Sequence, residues 1–255
     1  MIFYFTGTGN SLYAAKILDE NIVSIPQVLN SDSMIFEAKK IGIVCPVYGH
    51  EIPKMVKEFI KKSHFKTTYL YVVLTYGKRH ANAVELVENV LKESDKKADY
   101  IATLNMVDNF LPVFDMNEEM SIDKEVEKQL AKIKADVQSE THQIENVLPL
   151  DRAIHKMYLA FVKNAPETVW ADFSVTDDCV GCGICTKVCP ANCIHLKDQK
   201  AVHKSENCQA CFACIHACPK FAIKMNIPEK NPDARYRNKH ISLCEIVSAN
   251  NQTEN

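Results

Sequence analysis

The chain has 255 residues, 47% of them hydrophobic, and its 30 basic against 32 acidic side chains leave a formal charge of -2. That length suits one large and one small domain. The charge balance offers no basic footprint for nucleic acid and no strong acidic character. The first residues, Met-Ile-Phe-Tyr-Phe, run straight into an apolar strand without a basic leader, which argues against a signal peptide. The longest apolar run, residues 69–76, is strand length and too short to span a bilayer.

Residues 1–107 alternate short apolar runs with helical patterns. Strands are expected at 2–5, 22–25, 41–45, 70–75 and 101–107. Helices are expected at 11–19, then with Ile52, Met55, Val56, Phe59 and Ile60 inward, then over 81–94 with Val84, Val87, Val90 and Leu91 inward. A charged helix follows over 121–140. Strands alternating with helices predict an α/β fold: a doubly wound, five-stranded parallel sheet covered on both faces.

Only seven glycines are present, and six fall in four places: Gly7 with Gly9, Gly49, Gly77, and Gly181 with Gly183. Glycine spent this way marks backbone that approaches something closely. The first strand–helix turn is Thr6-Gly7-Thr8-Gly9-Asn10-Ser11. It is not a dinucleotide signature, whose third glycine would fall at Leu12, and no Gly-Lys-Ser/Thr makes it a Walker loop. It resembles the hydroxyl-rich T-x-T-G-x-T/S loop of flavodoxins. The resemblance implies that backbone N–H groups and the hydroxyls of Thr6, Thr8 and Ser11 surround a phosphate, with the helix dipole as counter-charge. Pro46-Val47-Tyr48-Gly49 follows the third strand and Thr75-Tyr76-Gly77 the fourth, at carboxyl ends where open parallel sheets bind ligands. Their tyrosines either cap strand ends as partly buried aromatics or stack on a flavin ring. Together with the phosphate loop they point to FMN.

Eight cysteines use one spacing twice. Cys179, Cys182, Cys185 and Cys189-Pro190 form C-x2-C-x2-C-x3-C-P, and Cys208, Cys211, Cys214 and Cys218-Pro219 repeat it 29 positions on. Three thiolates two residues apart wrap three irons of a cubane, and the fourth serves the other cluster, as in two-cluster bacterial ferredoxins. The expected sets are therefore Cys179, Cys182, Cys185 and Cys218, and Cys208, Cys211, Cys214 and Cys189. A disulfide framework would need a secreted context, and zinc sites do not ask for a third cysteine two residues on.

Residues Leu150, Ile154, Met157, Tyr158 and Phe161 form a helical stripe, expected to pack on the sheet domain before Pro166 breaks it. Trp170 is expected to pack between domains. The repeat aligns Cys193 with Ala222, so Cys193 reads as a small-residue filler near a cluster. Cys45 reads as buried core, and Cys244 carries no signal. The acidic stretch 115–145 reads as a solvated helix face. The tail after 228 is polar, with Arg235, Tyr236, Arg237, Lys239 and His240 close together. It reads as a solvated end, with a strap or docking patch as alternatives.

With YFTGTGNS and both cysteine motifs, nearly the whole chain resembles the fused flavodoxin–ferredoxin proteins of anaerobic bacteria and archaea. The resemblance implies a flavodoxin-like FMN-binding domain over 1–165, a linker at 166–174, a small α+β ferredoxin-type domain with two 4Fe–4S clusters over 175–228, and a tail over 229–255. It implies electron transfer between the clusters, FMN and redox partner proteins such as ferredoxin-type carriers or oxidoreductases. No acid–base set appears, so no catalytic residue is assigned. A reducing cytoplasm fits the thiols. The alternatives are an FMN-dependent reductase of a small substrate fed by its own clusters, and a first domain that has lost FMN and only docks the ferredoxin on a partner.

Overall fold

The computed structural model describes residues 1–165 and 169–252. The chain forms two compact units. The first comprises Met1–Phe5, Ser11–Met106 and Lys124–Ala165; the second comprises Thr6–Asn10, Val107–Asp123 and the described part of Pro166–Asn255.

The first unit is built on a parallel sheet of strands β1 (Ile2–Tyr4), β2 (Ile22–Ser24), β3 (Lys40–Pro46), β4 (Tyr69–Tyr76), β5 (Tyr100–Asn105) and β6 (Gln143–Ile144). Their order is β2-β1-β3-β4-β5-β6, all neighbours parallel. This is the flavodoxin-like order with one strand more than the five expected. The addition is a two-residue edge strand, too short for an alternation pattern to reveal. Helices α1 (Asn10–Leu18), α2 (Lys54–Lys62), α3 (Ala83–Lys92) and α4 (Val126–Gln138) intervene between strands. The first seven residues of β4 are buried in succession, as expected of a strand covered on both faces. Phe3 packs at ring-centroid distances of 4.5 Å from Phe36 and 4.8 Å from Phe59, joining β1, a minor strand and α2 in one apolar cluster. Buried Leu130, Ile133 and Val137 give the charged helix α4 its inward face.

Helix α5 (Pro149–Val162) departs from expectation. Leu150, Met157 and Phe161 of its apolar stripe are exposed, whereas His155 is buried. Tyr158 turns inward with it, its hydroxyl against the α-carbon side of Gly49. A hydrophobic period identifies a face of a helix, but not which face finds a partner.

In the second unit, β7 (Phe173–Val175) pairs antiparallel with β10 (Ile223–Met225), and β8 (Ile194–Lys197) with β9 (Lys200–His203). The linker expected at 166–174 thus ends in a paired strand, and its residues 166–168 lie outside the described residues. Short helices α6 (Ile184–Lys187) and α7 (Ala213–Ala217) occupy equivalent places in the 29-residue repeat. The repeat extends to the backbone: left-handed residues recur as Gly181 and Ala210, Gly183 and Phe212, and Asn192 and Phe221. Two of the three first-half positions are glycine, which adopts this conformation without a Cβ penalty.

Trp170 lies inside this unit, 5.3 Å from Phe110 in an edge-on pair, and Phe110 lies 5.9 Å from Phe212. It therefore packs against the Val107–Asp123 excursion of its own unit. The tail is not a solvated end either. Helix α8 (Leu243–Asn250) opens on a Ser242–Glu245 capping box, and Tyr236, Asn238, Ile241, Ile246 and Asn250 are buried. A buried ion pair, Arg235 Nη1 to Glu229 at 2.9 Å, anchors its start, and the guanidinium lies 5.1 Å from the Phe221 ring centroid.

Candidate functional site

Cys179, Cys182, Cys185 and Cys218 line one opening, with apolar neighbours including Leu196, Pro219 and Ile223 beside them. The opening exists because Cys218, at the end of α7, comes back to the loop that precedes α6. Burial, then the neighbouring thiols of Cys218, Cys182 and Cys179, push the Cys185 thiol up to about 11. Among the described residues no three His, Cys, Asp or Glu side chains stand close enough to hold a single metal ion. Four thiols around one opening form a donor set that fits a multi-iron cluster.

The second set is deeper. Cys189, Cys211 and Cys214 are buried and Cys208 is half-buried. Burial raises the Cys211 and Cys214 thiols, and the charges of Cys189 and Cys208 raise them further. Cys211 and Cys214, in so poorly solvated a place, stay neutral as thiols and would lose their protons to a bound metal, so the four-sulfur donor set fits an iron cluster. Backbone amides also aim at the sulfurs in equivalent pairs: Cys193 N–H to Cys189 Sγ at 3.1 Å, and Ala222 N–H to Cys218 Sγ at 3.3 Å. Such donors are among the levers that set cluster potentials.

Cys193, read as a filler, is buried beside Cys189 and Cys208 and lowers their thiol pKa values, and its own S–H is directed at backbone carbonyls, with Ala191 O at 3.5 Å. Its sulfur also lies 3.4 Å from Glu206 O. Cys45 is buried in β3, and burial raises its thiol; Cys244 is exposed.

The loop Thr6–Asn10 belongs to the same compact unit as all eight cysteines. Thr6 and Thr8 are almost fully buried. Thr6 Oγ1 accepts from Gly9 N–H at 3.1 Å and Thr8 Oγ1 accepts from Asn109 Nδ2 at 2.9 Å. With those lone pairs engaged, each hydroxyl proton is left to be donated. The N–H groups of Gly7 and Thr8 have no acceptor among the described residues. This collection of donors fits a phosphate. Within the first unit, Ser11 Oγ, at the start of α1, lies 2.8 Å from Thr75 Oγ1 at the end of β4.

Pro46 ends β3, and the turn Val47-Tyr48-Gly49 is tied down by Val47 N–H to Thr75 O at 2.9 Å. Gly77 O accepts from Asn105 Nδ2 at 2.5 Å, holding the turn after Tyr76. Around these two turns stand three histidines that the sequence did not single out. The His50 ring lies 5.7 Å from His155 and 4.9 Å from Tyr158, and His80 lies 4.7 Å from Tyr76. The Nδ1 atoms of His50, His80 and His155 and the Oδ1 of Asn82 are buried without a hydrogen-bond partner among the described residues. Orphaned polar atoms between aromatic walls fit a ring ligand with nitrogens and oxygens on its edge. Burial and the nearby His155, Arg79 and His80 hold the His50 pKa below its ordinary value. Single histidines scattered over three elements leave no local sequence motif.

Residues 171–219 match the family model of a 4Fe-4S dicluster domain. The chain is 43% identical over 47 residues to a subunit of the ion-translocating oxidoreductase complex of Methanosarcina acetivorans, covering 18% of each protein. It is 36% identical over 59 residues to a ferredoxin of Rickettsia felis, covering 22% of this chain and 54% of that one. The chain thus spans about half or less of these relatives. A solved structure described as the Trp repressor binding protein from Bacillus subtilis covers 41% of this chain and 84% of its own at 11% identity, with a TM-score of 0.29, which carries no argument. These matches support a 4Fe–4S ferredoxin-type domain and iron–sulfur electron transfer. Among the described residues no helix is long and apolar enough to cross a membrane.

Proposed function

We propose that the chain is an iron–sulfur flavoprotein, carrying electrons between two 4Fe–4S clusters, FMN and redox partner proteins in the cytoplasm. Cys179, Cys182, Cys185 and Cys218 hold one cluster, and Cys189, Cys208, Cys211 and Cys214 the other. Thr6, Gly7, Thr8, Gly9, Asn10 and Ser11 receive the flavin phosphate. Pro46, Val47, Tyr48 and Gly49, with Thr75, Tyr76 and Gly77, form the turns that take the ring. FMN, when bound, lets one-electron carriers exchange with two-electron ones. The observation that carries the reading is that the donor-rich loop and all eight cysteines share one compact unit. Anaerobic purification tests it: about eight irons, eight sulfides and one flavin per chain are expected, and four irons or no flavin would overturn it.

The second reading, an FMN-dependent reductase of a small substrate, is favoured by the His50, His80 and His155 group. Those rings could relay the protons that a two-electron reduction consumes. Substrate-dependent turnover by the isolated protein separates it from a pure carrier.

A further inference from the structure

The segment that follows the cysteine motifs closes over the Thr6–Asn10 loop through a set of buried polar contacts. Asn10 Oδ1 accepts from the Tyr236 hydroxyl at 2.5 Å and from Asn238 Nδ2 at 3.1 Å. Thr8 O accepts from Asn238 N–H at 2.9 Å. Asn250 Nδ2 donates to Thr6 O at 2.9 Å and to Val188 O at 3.2 Å, so one amide bridges the loop and the residue before Cys189. Gly9 has a φ of +101°, and a Cβ there would come within 3.1 Å of both Asn238 Cβ and Ile241 Cβ. Glycine is thus needed at this position for the covering segment as well as for the turn.

A second route reaches the loop from the other cysteine motif. His216, between Cys214 and Cys218, accepts from Tyr236 N–H on Nδ1 at 3.0 Å. Its Nε2 is therefore the protonated nitrogen, donating to Asn109 O at 3.0 Å, and Asn109 Nδ2 in turn donates to Thr8 Oγ1. Thr6 O, Thr8 O and Asn10 Oδ1 are thus turned toward the tail, and Thr8 Oγ1 toward Asn109. The Gly7 and Thr8 amides and the threonine hydroxyl protons are left for a ligand.

Building on the FMN reading, we propose that Tyr236, Asn238 and Asn250 are positioning residues of the flavin-phosphate site. They hold the loop in its anion-receiving shape, so phosphate recognition depends on the cluster-bearing unit and on a segment at the far end of the chain. The loop by itself is then an incomplete phosphate site. The specificity this confers is for the phosphate and not for the ring.

The test compares FMN and riboflavin binding to the intact protein, Asn250→Ala and Tyr236→Phe, with iron counted in each. Asn250 is fully buried, so Tyr236→Phe, which keeps the ring and removes one hydroxyl, decides if the alanine variant loses iron. The expected result is a roughly tenfold or larger loss of FMN affinity with iron content and riboflavin affinity unchanged. An unaltered FMN-to-riboflavin ratio would overturn the proposal. If the intact protein takes up no FMN, the flavin reading fails separately, and amide exchange decides the positioning role. Faster exchange at residues 6–10 in the variants supports it, and unchanged exchange refutes it.

Discussion

Cys218 shares an opening with Cys179, 39 positions before it, while Cys189, the nearer in sequence to Cys179, lies with Cys208. In the proposed assignment each half of the repeat lends its fourth thiol to the other half's cluster. Replacing Cys189 by Ala should therefore damage the cluster on Cys208, Cys211 and Cys214, and leave about four irons on the first motif. Spectroscopy that finds the surviving cluster on the second motif would reverse the assignment. Cys193→Ala should keep both clusters, since the backbone N–H that reaches Cys189 Sγ is retained; loss of iron would make Cys193 a ligand.

How much of this was visible beforehand follows from the range of the forces involved. The cysteine spacing is local chemistry, since a cluster needs thiolates at fixed short intervals, and it stands out in any reading of the chain. Strands such as Tyr69–Tyr76 announce themselves by composition. The buried tail does not, because its partners lie far away in sequence: Asn250 meets Thr6 across 244 positions. Its one local sign is the Ser242–Glu245 capping box ahead of Ile246. Of the stripe on α5, Tyr158 turns inward, but Leu150, Met157 and Phe161 stay exposed while His155 is buried, since packing overrode hydropathy there.

Thr8→Ala should weaken FMN binding by about one to two decades, because a hydrogen bond to a charged group is worth roughly 1.5–3 kcal/mol. The same change also strips Asn109 Nδ2 of its acceptor. Riboflavin should bind the native protein poorly. Titration by fluorescence quenching checks both, and equal affinities for riboflavin and FMN would remove the phosphate from the account.

The Glu229–Arg235 pair is almost wholly withdrawn from water. Removing one partner strands a buried charge, so Arg235→Ala should destabilise the second unit by about 3–5 kcal/mol. Replacing both by apolar residues of similar volume should cost far less. Denaturant titration of the two proteins tests the contrast; equal losses would mean that packing on Phe221 dominates.

His50 carries a pKa held below its ordinary 6.5 by burial and by positive neighbours. A histidine whose folded pKa is depressed binds protons more readily when unfolded, so stability is present above pH 6.5 and falls as pH drops toward the folded value. His50→Asn should flatten that slope in the first unit. Urea midpoints measured between pH 7.5 and 5 read it out, and an unchanged slope would assign the titration elsewhere.

The central claim is that one chain joins cluster and flavin chemistry. Covalent linkage has value only if it raises the effective concentration of one centre near the other. Rapid mixing of the anaerobic protein with a one-electron donor, followed at flavin wavelengths over a range of protein concentrations, tests this directly. The account predicts flavin reduction after cluster reduction, at a rate independent of protein concentration. A rate rising in proportion to concentration would place the transfer between molecules and contradict it.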